Sequence, residues 1–566
     1  MNRGFGVQGP FRVRQMEIIR EERTYEGIHA VPALVMGLME VSGIRKMIDH
    51  SSMGLGIGCY DLSPGMAVKA MVGTMVERGK TPLYRVEDYY STAPTDLLFG
   101  RDVDNGSLSD TILASRLDTI FRLDMREVQL KAYGLLKEMY GFDTDRLFMD
   151  ATNYTMFGIR YLTRQTEFDM GLEEKGIIPK ESPIPAYGGN AKDGHNDRVQ
   201  LSLSHVVDRN GIPVVSSSYD GNTSDITMNK DMIEFLAREL DMKRCILMAD
   251  SKLCVKDVLN SLISSGTAFV TKVPVNFDGK VKDDVIYSVL HSTMDPSDTR
   301  PGRSVYETDH MIDGHRVRLI AYLLPKAKRD SLEFIRTNGL KRFNKAMKTL
   351  SFRTFFCESD AMDAFRHTMD SQDICCFRAN AEVYIDDATA KRKGDGKRFR
   401  LRITDTGIDD GRLESAIAEH AVQVLITNLP FSSEHSEEPR FKASADDVID
   451  LYLEQYKAEA GFKMMKSGMN IGNVYIHTPS RITAVAFIVS LATMLCTVAN
   501  MVLRETKTKG EPKKTVKSLV DIHQNALVWY DRRKDRMSIT GGPGDTEAIF
   551  DLADRLKIPP EYLLTH

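Results

Sequence analysis

The sequence lacks the cysteine patterns that build disulfide frameworks or zinc sites. Its 566 residues include seven cysteines, an odd number, and no two of them are spaced as C-x-x-C. We therefore expect a reduced, cytosolic protein without structural zinc or disulfide bonds. The first nineteen residues also lack an apolar h-region, so we expect no signal peptide.

Two common nucleotide-binding motifs are missing as well. No G-x-x-x-x-G-K-[ST] loop occurs, so the use of ATP is not indicated. The glycines of "GLGIG" at 54–58 lack the G-x-G-x-x-G spacing, and no predicted strand precedes them. The formal net charge is −4. A role on nucleic acid therefore requires local basic surface rather than an overall positive charge.

Only one long apolar run is present. Ile482 to Leu503 is 22 residues without a charge, and Arg481 and Arg504 flank it. Its length is enough to span a membrane. However, the run contains five hydroxyl or amide side chains, and no other segment of the chain resembles it. We therefore predict a helix buried in a large soluble core and no membrane association.

The pattern of apolar residues predicts a mixed α/β protein with a helical N-terminal region. Residues 27–140 show helical apolar spacing, interrupted by Pro, Ser and Gly. Between residues 146 and 272 the predicted order is β-β-β-α-β-α-β. Three antiparallel strands that lead into parallel strands form a mixed sheet.

The pattern of apolar residues changes after residue 272. Residues 273–440 contain two D-G turns flanked by alternating sequence, with a helical piece at about 328–370 between them. We interpret the segment as a large, β-rich insertion. From Ser444 the spacing predicts one long helix, "SADDVIDLYLEQYKAEAGFKMMKSG", with Ser444 as its N-cap.

Three acids are candidate metal ligands. Asp250 ends a predicted strand, and Asp150 is the equivalent acid on the predicted strand "RLFMDATN" at 146–153. In open α/β sheets the carboxyl edge of the strands is where ligands bind. Glu459 lies in the long helix, seven residues after Tyr452 and seven before Lys466, so the three share one stripe. Carboxylate oxygens suit Mg²⁺, and two such ions catalyse in-line phosphoryl displacement.

Each acid also has a structural interpretation that the residues leave open. Asp150 could turn the chain after its strand through hydrogen bonds to Thr152. Asp250 could be the N-cap of the helix that follows it. Glu459 could be a solvated helix acid that pairs with Lys463, four residues on.

The order of these motifs resembles the DDE transposases of bacterial and archaeal insertion sequences. The long helix resembles the Y-x2-R-x3-E-x6-K signature of the branch that carries a β insertion, with Tyr452, Glu459 and Lys466 in place. Gln455 stands where the signature has arginine. "FMDATNY" and "ILMADSKL" resemble the family's first-acid and second-acid strands, and "GIPVVSSSYDGNTSD" resembles the hairpin between them.

The resemblance implies an RNase H-like core that carries out DNA transposition. Asp150, Asp250 and Glu459 would be the catalytic ligands of Mg²⁺, with Mn²⁺ as a substitute. The enzyme would nick DNA at terminal inverted repeats and join the freed 3′-hydroxyl to target DNA, as a homodimer that holds two ends. Tyr452 and Lys466 would contact the DNA end, and we add Lys463 from the same helix to the predicted DNA contacts.

The resemblance and the element pattern together predict five segments. These are a helical DNA-end-binding region at 1–145, the first part of the RNase H-like core at 146–272, the β-rich insertion at 273–440, the second part of the core at 441–505, and a basic linker with a C-terminal segment at 506–566.

One predicted hairpin is strongly basic. Seven of the twelve residues from Lys391 to Arg402 are Lys or Arg, so it is either a phosphate-binding finger or a solvated tip. The DNA contacts that we predict there are Lys391, Arg392, Lys393, Lys397, Arg398 and Arg400.

Two other functions remain open from the sequence. One is a structure-selective nuclease on the same core, which cuts DNA but does not join it. The other is a catalytically inactive DNA-binding repressor that keeps the fold. On any of these interpretations we expect a cytoplasmic, nucleoid-associated protein.

Overall fold

Two compact units divide the chain. The first comprises Met1–Met248 with Glu454–His566, and the second comprises Ala249–Leu453. The computed structural model describes residues 25–53, 55, 62–78, 83–99, 103, 105–155, 182–187, 198–291, 294–297, 299–370, 376–386, 398–431, 442–456, 478–504, 526–531, 533–534, 536–541 and 545–559.

The described residues form a mixed α/β fold, as predicted. The α-helices are α1 (Ala30–Val41), α2 (Ile44–Met53), α3 (Pro64–Arg78), α4 (Val86–Tyr90), α5 (Thr95–Phe99), α6 (Asp110–Phe121), α7 (Met125–Tyr140), α8 (Asp225–Glu239), α9 (Lys256–Ser264), α10 (Val281–His291), α11 (Pro325–Phe334), α12 (Leu340–Phe352), α13 (Glu358–Met369), α14 (Asp410–Ala421), α15 (Ala445–Leu453), α16 (Pro479–Arg504) and α17 (Asp545–Arg555). The strands are β1 (Tyr25–His29), β2 (Arg146–Thr155), β3 (Ala186–Tyr187), β4 (Val199–Asp208), β5 (Pro213–Tyr219), β6 (Ile246–Ala249), β7 (Ala268–Lys272), β8 (Asp295–Pro296), β9 (Ser304–Ile312), β10 (His315–Leu323), β11 (Phe377–Ile385), β12 (Phe399–Ile408), β13 (Gln423–Thr427), β14 (Leu527–Asp531) and β15 (Arg536–Thr540).

The apolar helix α16 lies at the centre of the first unit. By length and composition it could cross a membrane, but 94% of its apolar window is buried inside the protein. It packs against the helices α1, α3, α6 and α7 and against strand β5. The prediction of a buried core helix is confirmed.

A buried polar network fixes the position of α16 against the sheet. The Gln129 amide of α7 donates to Ser490 Oγ of α16 at 2.8 Å and accepts from the backbone N–H of Ser216 at 3.1 Å. The Ser216 hydroxyl lies 2.7 Å from Ser490 Oγ and 2.6 Å from His205 Nδ1. Burial lowers the pKa of His205 to about 3, so its ring is neutral. Hydrogen bonds among buried groups of this kind select one packing arrangement.

The sheet of the first unit has the strand order β3-β4-β2-β6, and β5 also pairs with β4. Strand β4 is antiparallel to both β2 and β5, and β4 and β5 form the predicted hairpin. The helix that follows begins as predicted, because the Ser224 hydroxyl accepts a hydrogen bond from the Thr227 N–H. From β2 to β7 the order of elements is consistent with an RNase H-like core.

Asp208 closes the turn between β4 and β5. Its Oδ1 accepts the backbone N–H groups of Asn210 and Ile212 at 2.8 and 2.9 Å, and the Tyr133 hydroxyl donates to its Oδ2 at 3.2 Å. Burial nevertheless raises the pKa of Asp208 to about 6, against the opposing effect of these donors. Because the unfolded pKa is lower, folding favours the protonated form, and stability falls as the pH rises from about 4 through about 6.

We predict that Asp208→Asn removes this pH dependence. The amide oxygen can keep both backbone hydrogen bonds, and the buried charge is gone. The free energy of unfolding is expected to rise by about 1–3 kcal/mol at about pH 7 and to change little at about pH 4. Urea denaturation of both proteins across this range measures the effect, with the exposed Asp330→Asn as a matched control. Parallel pH profiles of wild type and Asp208→Asn would contradict the prediction.

The second unit contains an antiparallel sheet with the order β7-β13-β10-β9-β8. The D-G hairpin between β9 and β10 is present as predicted. Asp313 and Gly314 have φ values of 46° and 88°, which is the positive-φ pair of a type I′ turn. Arg318 of β10 pairs with Glu307 across the hairpin at 2.6 Å.

A separate hydrophobic cluster of the second unit joins the hairpin β11–β12 to helices α11 to α14. Its buried members include Phe343, Phe377, Leu401 and Ile417. Strands β11 and β12 pair as an antiparallel hairpin, and its predicted D-G tip lies outside the described residues. The segment predicted as a β-rich insertion thus has both of its strand pairs, and helices cover one of them.

The helix that begins after Ser444 is shorter than predicted. Ser444 caps it, since its hydroxyl accepts from the Asp447 N–H at 3.2 Å and its own N–H donates to the Asp447 carboxylate at 2.9 Å. The helix ends at Leu453, and residues 454–455 form a turn. Tyr456 is helical again, so this turn interrupts the predicted single helix from residue 444 to 468, which the apolar spacing did not signal. Residues 457–468 of that prediction lie outside the described residues.

Candidate active site

Asp150 is the fifth residue of β2 and is half-buried. The residues on either side of it, Met149 and Ala151, are buried, so the carboxylate lies on a strand whose backbone stays in the core. Its Oδ1 accepts the backbone N–H of Ala151 at 2.7 Å. Across the ladder Asp150 faces His205, whose ring is buried and neutral.

Asp250 is the residue directly after β6. Its Oδ1 accepts the Lys252 N–H at 2.9 Å and caps the 3-10 turn Ser251–Leu253, so the capping interpretation is correct. Its backbone carbonyl accepts the Thr271 hydroxyl at 2.6 Å. Capping leaves further hydrogen-bond acceptor positions on the side chain, because an ionised carboxylate has about four of them. A carboxylate that caps a turn is therefore also chemically able to bind a cation.

Strands β2 and β6 begin side by side. The Ile246 N–H donates to the Asp145 carbonyl at 2.8 Å, and the Cys245 thiol donates to the Thr144 carbonyl at 3.2 Å. Because the first residues of two neighbouring strands meet, the strands run in the same direction. Asp150 follows Asp145 by five residues, and Asp250 follows Ile246 by four.

Lys272, which the sequence pattern did not indicate as a site residue, lies near Asp250. Lys272 is the last residue of β7 and is half-buried. Burial lowers the pKa of its ammonium group, as does the nearby Lys282, and the charge of Asp250 acts in the opposite direction. The available signal was a lysine at the end of the apolar strand "AFVTK", directly after the threonine that binds the Asp250 carbonyl.

The third predicted acid, Glu459, lies outside the described residues, as do Lys463 and Lys466. Tyr452 is described and half-buried, in the last turn of α15. Just after it, Glu454 accepts a hydrogen bond from Arg146, the first residue of β2, at 3.3 Å. Within the described part of the chain, no three His, Cys, Asp or Glu side chains form a metal-binding group.

The basic hairpin is described in part. Lys391, Arg392, Lys393 and Lys397 lie outside the described residues. The side chain of Arg398 is buried, and its guanidinium lies 4.1 Å from the centre of the Phe356 ring. Arg400 pairs with Asp386 at 2.7 Å. Both described arginines of the predicted DNA contacts therefore have partners within the protein.

Comparisons with known proteins agree with the order of these elements. A family model described as a transposase DDE domain matches residues 141–495 of the 566. A second model, described as a domain of unknown function (DUF4277), matches residues 29–131, which include helices α1 to α6. A search of curated proteins found no match. The first match spans all three candidate acids.

Proposed function

This chain belongs to the family of transposase DDE domains, and from that premise we propose that it cuts DNA at the terminal inverted repeats of an insertion sequence and joins the freed 3′ ends to target DNA. The Y-R-E-K branch is part of the proposal, and Tyr452, Glu459 and Lys466 are its members in this chain. The substrate is DNA, and we propose that a homodimer in the nucleoid holds two ends together.

One observation supports a catalytic site at Asp150 and Asp250 above the others. Asp150 lies within β2 and Asp250 directly follows β6, and these two neighbouring strands run in the same direction from adjacent starting residues. Strands rise about 3.3 Å per residue, so four or five residues carry both chains a similar distance. We therefore propose that both carboxylates serve as ligands of a divalent cation.

The donor set fits a hard divalent cation. Both aspartates offer only oxygen, and both side chains are half-buried rather than sealed in the core. Mg²⁺, or Mn²⁺ as a substitute, is the ion that such ligands prefer, and we propose Glu459 as the third ligand. When bound, the metal supplies activation of the attacking oxygen and stabilisation of the leaving oxygen.

The remaining residues of the proposed site act on the DNA. Lys272, near Asp250, is a cation for a non-bridging oxygen of the scissile phosphate, where it offsets charge without consuming a metal-ligand position. Tyr452, Lys463 and Lys466 are proposed to contact the backbone on the other side of the break. These contacts orient the phosphate for in-line attack.

The deciding experiment uses the DNA beside the gene. The purified chain is incubated with a labelled duplex of that flanking sequence and a supercoiled plasmid, with Mg²⁺ or with EDTA. We expect metal-dependent nicking at the end of the repeat, followed by joining of the label to the plasmid. Joining is the result that carries the proposal, because strand transfer requires the freed 3′-hydroxyl.

The two alternative functions, a nuclease and a repressor, give different results in the same assay. Nicking without joining, on branched or mismatched DNA as well as on repeats, would identify a structure-selective nuclease and overturn the proposal. Binding to the repeats with no metal-dependent product would identify a DNA-binding repressor.

A further inference from the structure

Helix α12 and its flanks carry charged side chains of one sign only. Residues 335–357 contain six Lys or Arg side chains and no Asp or Glu. All six are exposed, whereas the acids Glu333 and Glu358 lie just outside the segment. The net charge of the chain is −4, so this excess is local. A basic surface on an acidic protein indicates a negatively charged partner.

Three of these cations lie in one row. Lys341, Lys345 and Lys348 are spaced i, i+4 and i+7 on α12, and all three are exposed. The row is about 10 Å long at the helical rise. None of the three makes an ion pair with the residues that the structure describes. The opposite face of α12 is fixed, because Phe343, Met347 and Leu350 are buried in the cluster with the hairpin.

The row ends at a cavity between α12 and strand β12. The cavity has a volume of about 480 Å³, and Lys348, Phe352, Tyr384, Arg400 and Arg402 are among its lining residues. The Phe352 side chain is 66% exposed at its rim. The guanidinium of Arg402 lies 5.4 Å from the centre of the Tyr384 ring. Cations interleaved with exposed aromatic rings are typical of surfaces that track a nucleic-acid backbone and stack against its bases.

We propose that the outer face of α12 is a DNA-binding surface. Lys341, Lys345 and Lys348 contact successive phosphates, and the cavity at Phe352 receives the sugar or base at the end of that run. This assigns DNA contacts to a rigid helix, in addition to the tip of the basic hairpin. The inference rests on the proposed function for its choice of DNA, and the aromatic rim favours DNA over an acidic protein.

The experiment measures the salt dependence of DNA binding by the full chain. A labelled duplex of random sequence is titrated by fluorescence anisotropy between about 50 and 200 mM salt. The triple variant Lys341→Gln, Lys345→Gln, Lys348→Gln is expected to bind at least about tenfold more weakly. Its plot of log affinity against log salt is expected to be shallower by about 3, or about 0.9 for each lost phosphate contact.

Two further proteins make the result specific. A triple Lys→Arg variant at the same positions is expected to bind as wild type, because the charge is preserved. A matched control replaces Lys230, Lys243 and Lys280, exposed lysines close to acids in the sequence, by Gln. This control is expected to keep the wild-type slope. Circular dichroism and thermal unfolding verify that all variants are folded.

The outcomes separate this inference from the proposed function. If the triple Gln variant binds with the wild-type slope while wild type still nicks DNA, the surface assignment is wrong and the transposase proposal stands. If wild type never nicks but the slope falls as predicted, the surface binds DNA and the catalytic proposal fails. Poly-glutamate that displaces the duplex as well as an equal charge of unlabelled DNA would overturn the assignment to DNA.

Discussion

Asp250→Asn is expected to lose metal-dependent DNA nicking by about 10²–10³-fold while DNA affinity stays within about twofold. The amide oxygen can still accept the Lys252 N–H, so the 3-10 turn keeps its cap. What changes is the negative charge, which a divalent cation requires of its ligand. Gel assays of end cleavage at several Mg²⁺ concentrations measure the loss, and Asp150→Asn is expected to match it.

Two control variants and one further test variant accompany this prediction. Asp257→Asn removes an exposed aspartate in the first turn of α9, seven residues after Asp250, and is expected to cleave as wild type. Glu459→Gln is expected to fail like Asp250→Asn. Glu454→Gln, which alters the partner of Arg146, is expected to retain cleavage. Full nicking by Asp250→Asn would show that this aspartate is only a cap.

Gly221→Ala is expected to destabilise the first unit by at least about 3 kcal/mol. A Cβ at this position would lie 1.8 Å from the carbonyl oxygen of Gln200 and 2.7 Å from that of Ala186. These two residues are paired in the β3–β4 ladder, so neither carbonyl can withdraw without breaking it. The Gly221 N–H also donates to the Ile184 carbonyl at 3.1 Å, which holds the glycine in place.

The measurement is the midpoint of thermal and urea unfolding of the purified variant. Gly134→Ala is the matched control, because Gly134 is exposed in the middle of α7 with nothing within 4 Å of the added Cβ. That substitution is expected to stabilise the protein by up to about 1 kcal/mol through helix propensity. If Gly221→Ala unfolds at the wild-type midpoint, the close packing around Gly221 does not contribute to the free energy of unfolding.

The parts of the fold that could be predicted are those set by local sequence. The Ser224 cap, the Asp313–Gly314 turn and the alternation of β4 and β5 depend on neighbouring residues, and the structure contains each of them. The burial of α16 could also be predicted, because its hydroxyl and amide side chains fit a core better than lipid. Local hydrogen bonding and turn geometry override other influences at such positions.

The parts that could not be predicted depend on contacts between distant segments. The helical spacing continues past Leu453, yet the helix ends there, and Glu454 pairs with Arg146, 308 residues away in the chain. The pKa of Lys272 depends on the charge of Asp250, which lies 22 residues earlier in the chain and is brought close by the pairing of Thr271 with the Asp250 carbonyl. The acids Asp150 and Asp250 were apparent as an acid on one predicted strand and an acid at the end of another, but the common direction of these strands is a property of the folded sheet.

The position of α16 determines the order in which the chain can fold during synthesis. Helices α1, α3, α6 and α7 emerge from the ribosome first, yet the helix that covers their apolar faces begins only at Pro479. The whole second unit is translated between these helices and α16, so it can fold while the first unit still lacks its central helix. At about 5–20 residues per second, the stretch from Tyr140 to Pro479 delays α16 by roughly 20 to 70 s. We therefore expect nascent chains stopped before α16 to bind chaperones that shield apolar helices, and we expect the first unit to become protease-resistant only near the end of translation.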